Sequence, residues 1–93
     1  MARTKVVVMA EVEDPEKWEN GFRTHGKLFK SQTVKKTIDI GISGNRVAVC
    51  FKPDDLEKFM EILDSPATAE AMEVDGVKRE TVQVFILDKE FKV

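Results

Sequence analysis

His25 is the only histidine in the chain. It falls in a series with Trp18, Phe22 and Phe29, spaced four, three and four residues apart. On a helix these four positions share an arc of roughly 60°. An imidazole set in such an apolar stripe suits a general base or a hydrogen-bond donor, because imidazoles change charge near neutral pH. His25 is therefore the catalytic candidate. The plainer reading is a helix-edge histidine bonded to a backbone carbonyl. Trp18, Phe22 and Phe29 are ligand-binding candidates, since an aromatic stripe can wall an aromatic ligand; it can equally anchor a core. Asp39 and Cys50 complete the set. A mid-strand carboxylate can take a proton from a substrate or pair with a cation such as Lys52, and a thiol can attack a substrate if a base stands beside it. Their plainer readings are a solvated edge carboxylate and a small buried thiol.

These residues need elements to position them. Thr4 to Val12 (TKVVVMAEV) is β-branched and free of Gly and Pro, which predicts a strand. Asp14-Pro15-Glu16 then predicts a helix start: an N-cap acid, a Pro at the first helical position and an acid in the first turn. That helix is expected to run unbroken to about Lys30 and to carry the Trp18–Phe29 stripe. Thr33 to Ser43 and Arg46 to Lys52 read as two strands joined by a Gly44-Asn45 turn of type II′, with Gly44 supplying the positive φ. The register follows from that turn. Ile42 faces Val47, Ile40 faces Val49 and Ile38 faces Phe51. Gly41, Asp39 and Thr37 face Ala48, Cys50 and Lys52 on the other side. A slip of one residue would mix bulky and small positions. Gly41, Ala48 and Cys50 leave room on that side for a ligand or for a closely packed partner sheet.

Pro53-Asp54-Asp55 opens a second helix with the stripe Leu56, Phe59, Met60 and Leu63. Ser65-Pro66 breaks it and restarts it as a short helix over Ala67 to Glu73. Asp75-Gly76 ends that piece, and Glu80 to Asp88 (ETVQVFILD) is the last strand. The expected fold is α+β: a ferredoxin-like βαββαβ order with a broken second helix and a four-stranded antiparallel sheet. Residues 1–93 are expected to form one domain.

Composition narrows the function classes. The chain has 93 residues, 42% hydrophobic and 34% charged, the balance of a globular protein. Fifteen Lys and Arg against 17 Asp and Glu leave a net charge of −2, which disfavours nucleic acid and membrane surfaces as partners. One cysteine permits no internal disulfide and no Cys-rich metal cluster. The run Val6–Ala10 is too short for a signal-peptide core or a membrane span. A cytoplasmic location is the expectation, with no metal. Phosphate loops, HExxH and CxxC motifs are missing from the sequence.

The strands carry a further message. Val6, Val8, Ala10 and Val12 alternate with Val7 and Met9, and Phe85 and Leu87 alternate with Val82, Val84 and Ile86. Both faces of these strands are apolar. The helices can cover only one face, and leaving the other wet is unfavourable. A second copy of the same sheet is the simplest cover, so a homodimer is expected.

The element order, the Trp18-to-Phe29 stripe and the segment LDSPATAEAMEVDGV (Leu63 to Val77) resemble the dimeric α+β barrel superfamily. That group includes antibiotic-biosynthesis-monooxygenase-like and stress-responsive barrel proteins. The resemblance implies two sheets packed face to face in a dimer, with a pocket in each subunit between helices and sheet. Its catalytic members work without metal or flavin on aromatic polyketide-like substrates, which implies no cofactor here. None of their functional residues is carried over to this chain. The expected function is a homodimeric barrel that binds a small apolar or aromatic molecule, with a cofactor-free monooxygenase or cyclase as its enzymatic form. The alternative is a non-catalytic ligand-binding, stress-associated or structural dimer module, and the sequence leaves both open.

Overall fold

Local signals set the ends of most elements. In the computed structural model, which describes residues 4–34 and 36–93, the order is β1 (Lys5–Val12), α1 (Pro15–Phe22), α2 (Gly26–Ser31), β2 (Asp39–Ser43), β3 (Arg46–Phe51), α3 (Leu56–Leu63), α4 (Pro66–Val74) and β4 (Val77–Leu87). The Asp14 carboxylate accepts from the Glu16 and Lys17 N–H groups and caps α1. Asp55 caps α3 through the Lys58 N–H, and Ser65 caps α4. Each cap satisfies a donor that has no partner inside its helix.

The sheet order is β2-β3-β1-β4, with every neighbouring pair antiparallel. This is the expected α+β ferredoxin-like architecture. The β2–β3 hairpin has the predicted register: Ile42 faces Val47, Ile40 faces Val49, Gly41 faces Ala48 and Asp39 faces Cys50. Gly44 has φ +60°, the conformation the turn requires and glycine adopts without penalty.

Three boundaries differ from expectation, each for a physical reason. The first helix is not continuous to Lys30. It breaks at Arg23–His25, where the Thr24 and His25 N–H groups donate to the Gly21 and Phe22 carbonyls, and the Thr24 hydroxyl also takes the Gly21 carbonyl. These three-residue bonds tighten the turn and end the α-helical ladder. The second strand begins at Asp39 and not at Thr33. Thr33 has φ +66°, and its hydroxyl accepts from the Asp55 N–H, so this stretch is tied to the α3 cap instead of the sheet. Lys35, inside the predicted strand, lies outside the described residues. The last strand starts at Val77, three residues early, and contains a bulge. Met9 pairs with Gln83 but Glu11 pairs with Lys78. The Glu11 N–H left over is taken by the Thr81 hydroxyl, which itself donates to the Lys78 carbonyl.

The helices cover one face of the sheet. Val6, Val8, Ala10 and Val12 of β1, Val47, Val49 and Phe51 of β3, and Trp18 and Phe59 from the helices form its buried core. On the opposite face the strands present Val7, Met9, Ala48 and Cys50, all half-buried, and Phe85 and Leu87, which are 45% and 48% exposed. No helix of the described residues is long and apolar enough to cross a membrane.

Candidate functional site

The aromatic stripe meets the sheet in a continuous stack. Trp18 lies 5.0 Å from Phe22, Phe22 lies 4.7 Å from Phe29, Phe29 lies 5.7 Å from Phe51, and Phe51 lies 5.1 Å from Phe59. Between this stack, the sheet residues Val47 and Val49, and α4 is a chamber of about 80 Å³. Its wall is almost entirely apolar. Its polar groups are His25, Asp75, Gln32 and Thr68. Two of these are already engaged. The Gln32 amide donates to the Phe59 carbonyl and the Thr68 hydroxyl to the Ile62 carbonyl.

That leaves His25 and Asp75 as the chamber's chemistry. The His25 Nε2 lies 2.9 Å from the Asp75 Oδ2, with the two side chains 24% and 7% exposed. Facing a carboxylate, Nε2 carries the proton and donates it, and the other ring nitrogen, Nδ1, is left to accept. A carboxylate that orients an imidazole in this way is the arrangement of a general base. The break in the helix after α1 puts His25 at the corner between α1 and α2, where its ring meets Phe29 edge-on at 6.5 Å.

Asp75 comes from the other side of the layer. It caps the C-terminus of α4, and Gly76 with φ +75° turns the chain into β4. The Gly76 carbonyl accepts from the Glu13 N–H, which pins this turn to the end of β1. The carboxylate occupies the space left by the missing side chain of Gly21: a Cβ there would stand 2.0 Å from the Asp75 Oδ1. Glycine at position 21 is thus what lets the two groups meet. In a Gly21→Ala chain the carboxylate must move out, leaving a buried acceptor and the His25 donor without partners. The expected loss is about 1–3 kcal/mol of stability. A lower urea midpoint, with faster water exchange of the His25 Nε2 proton by NMR, checks this.

Trp18, Phe22, His25 and Phe29 all line the chamber. Asp39 and Cys50 do not. They are cross-strand neighbours on the opposite sheet face. A carboxylate beside a thiol also does nothing to favour the thiolate. Sequence reading missed Asp75, Gln32 and Gly21. A signal for Asp75 was present: an acid at a helix C-terminus opposes the helix dipole, so it needs another reason to be there. Among the described residues, no three His, Cys, Asp or Glu side chains converge on a point where a metal ion would fit.

A Bordetella bronchiseptica protein, provisionally named an antibiotic biosynthesis monooxygenase, superposes with TM-score 0.73 over 98% of this chain and 100% of its own, at 14% identity. SnoaB from Streptomyces nogalater, a cofactor-independent oxygenase, superposes with TM-score 0.70 over 99% and 98%, at 15% identity. The chain has the antibiotic-biosynthesis-monooxygenase-like fold. A dimeric ferredoxin-like protein from an uncultured marine organism shares it too, with TM-score 0.59 over 100% and 94% at 13% identity. No protein-family model and no curated protein sequence matches the chain. At these identities the likeness speaks for the fold, and the His25–Asp75 pair is read from this chain's own geometry.

Proposed function

We propose that this protein is a homodimer that takes an apolar or aromatic molecule between its helices and sheet and removes a proton from it without a cofactor. The observation that carries this reading is the part-buried His25–Asp75 pair in the lining of a mostly apolar chamber. Nδ1 of His25 accepts a proton from an acidic O–H or C–H of the substrate, and Asp75 stabilises the imidazolium through Nε2. The substrate anion that results is electron-rich and buried away from water. An anion of this kind can close a ring, or it can give electrons to dioxygen, the second substrate of a cofactor-independent oxygenase such as SnoaB.

The test is oxygen uptake and ring closure with a panel of aromatic polyketide surrogates. His25→Ala is expected to lower turnover by about 10²-fold, the contribution of one positioned base, while far-UV circular dichroism shows the fold retained and the melting temperature falls with the loss of Asp75's partner. Equal turnover in the two proteins would overturn the role of His25.

A second reading has an observation of its own. Gln32 and Thr68 are both bonded inside the protein, so few groups remain to orient a reacting substrate. A non-catalytic binder needs none. It predicts a ligand-dependent rise in melting temperature with no turnover.

A further inference from the structure

The chamber is small for the ligand class proposed. A space of about 80 Å³ is roughly half the ~150 Å³ cavity that accommodates a benzene ring in a well-studied engineered protein. It admits one edge of an aromatic molecule, and the body must lie elsewhere. The structure offers a place next door. A groove of about 250 Å³ opens at the surface between the α1–α2 corner and β2, floored by Phe22, Phe29, Ile38 and Ile40. Phe22 and Phe29 also line the chamber, so this ring pair is a wall shared by both spaces. Both rings are half-buried and α2 is a six-residue helix with no buried residue, but Phe29 is stacked on Phe22 at 4.7 Å and on Phe51 at 5.7 Å, so joining the two spaces requires Phe29 to turn out of that stack. The two volumes together reach the low end of the ~300–1,000 Å³ usual for small-molecule sites.

The groove also has a charge. Its two ionisable lining residues, Arg23 and Lys36, are cations, and both are exposed. The acids nearest in the chain are Asp39, three residues from Lys36 but on the other face of β2, and Glu19, whose Oε2 takes the Arg23 Nε and a terminal nitrogen at 2.9 and 2.7 Å. That pair is exposed and worth little, so the guanidinium can turn to a ligand. We infer that the groove is the outer half of the binding site, and that it selects planar aromatic ligands carrying a carboxylate or another anionic group, held by Lys36 and Arg23. This rests on the chamber reading above and adds the substrate class to it. The apolar body lies on Phe22, Phe29, Ile38 and Ile40, the anion sits at the cationic rim, and the opposite edge passes the ring pair toward His25.

The probes are 1-naphthoate and its neutral counterpart 1-naphthalenemethanol, titrated calorimetrically at low salt. The naphthoate is expected to bind about tenfold more tightly, the effect of one favourable charged contact. Arg23→Gln combined with Lys36→Gln should erase that difference and leave the alcohol unchanged. Gly26→Leu supplies a second variant in the groove lining, at a position where an added Cβ meets nothing within 4 Å. It should fill the groove and weaken both probes at an unaltered melting temperature. If both probes bind alike and neither set of substitutions affects them, the groove assignment is wrong while the chamber reading stands. If neither probe binds the parent protein, the chamber reading fails with it.

Discussion

Phe85→Asp combined with Leu87→Asp is expected to separate the subunits of the proposed homodimer, with a dissociation constant raised on the order of 10⁴-fold or more. Both side chains stand about half exposed on the sheet face away from the helices, beside the half-buried Val7. In a two-fold dimer each substitution occurs twice across one interface. An unpaired carboxylate forced into such an interface costs about 3–5 kcal/mol, and a factor of ten in affinity corresponds to about 1.4 kcal/mol. Two carboxylates per subunit therefore exceed the 10⁴-fold level even if much of the cost is relieved by water. The chain already carries a net charge of −2, so the added acids also repel each other across the interface. Light scattering over a range of concentrations makes the measurement. The parent should give twice the subunit mass and the variant one. Should the variant unfold, the melting temperature of the parent still decides, because a dimer's rises with concentration. A parent that scatters as a single subunit at all concentrations would refute the dimer.

Phe59→Ala has the largest effect expected within one subunit. Phe59 is fully buried, stacks on Phe51 at 5.1 Å, and lends its carbonyl to the buried Gln32 amide. Truncation removes the ring, leaves a cavity and loosens the contact between α3 and the end of α2. Replacements of this kind cost about 3–5 kcal/mol. A small domain has a stability of only about 5–15 kcal/mol, so the urea midpoint should fall by a large fraction. The chamber shares Phe51 and Gln32, so weaker ligand binding should accompany the loss. A midpoint shift equivalent to less than about 1 kcal/mol would show that Phe59 is not the keystone of the α3 contact.

Part of this architecture is legible in the residues themselves. The β2–β3 register follows from a turn that needs glycine and from alternation of bulky and small side chains, both of which act over neighbouring residues. The Ser65-Pro66 restart is of the same kind, since a cap and a proline act within one turn. The break at Arg23–His25 is harder to see. The helical period carries through it, and the stripe still faces the sheet, so the spacing of Trp18, Phe22, His25 and Phe29 is compatible with one helix or two. The short β2 and the β4 bulge depend on distant partners: Thr33 is bonded to Asp55, and Thr81 to Glu11.

The sequence by itself determined the βαββαβ order, the faces of each strand, the aromatic stripe and the excess of apolar sheet surface, because these arise from periodicity and turn chemistry within a few residues. Only the tertiary structure decided that His25 meets Asp75, fifty residues away, and that Asp39 and Cys50 face away from them. That meeting depends on the corner after α1 and the turn after α4 coming together over one end of the sheet, and on Gly21 leaving the space that the carboxylate fills. Packing between distant segments is a property of the whole fold, and no local pattern of residues encodes it.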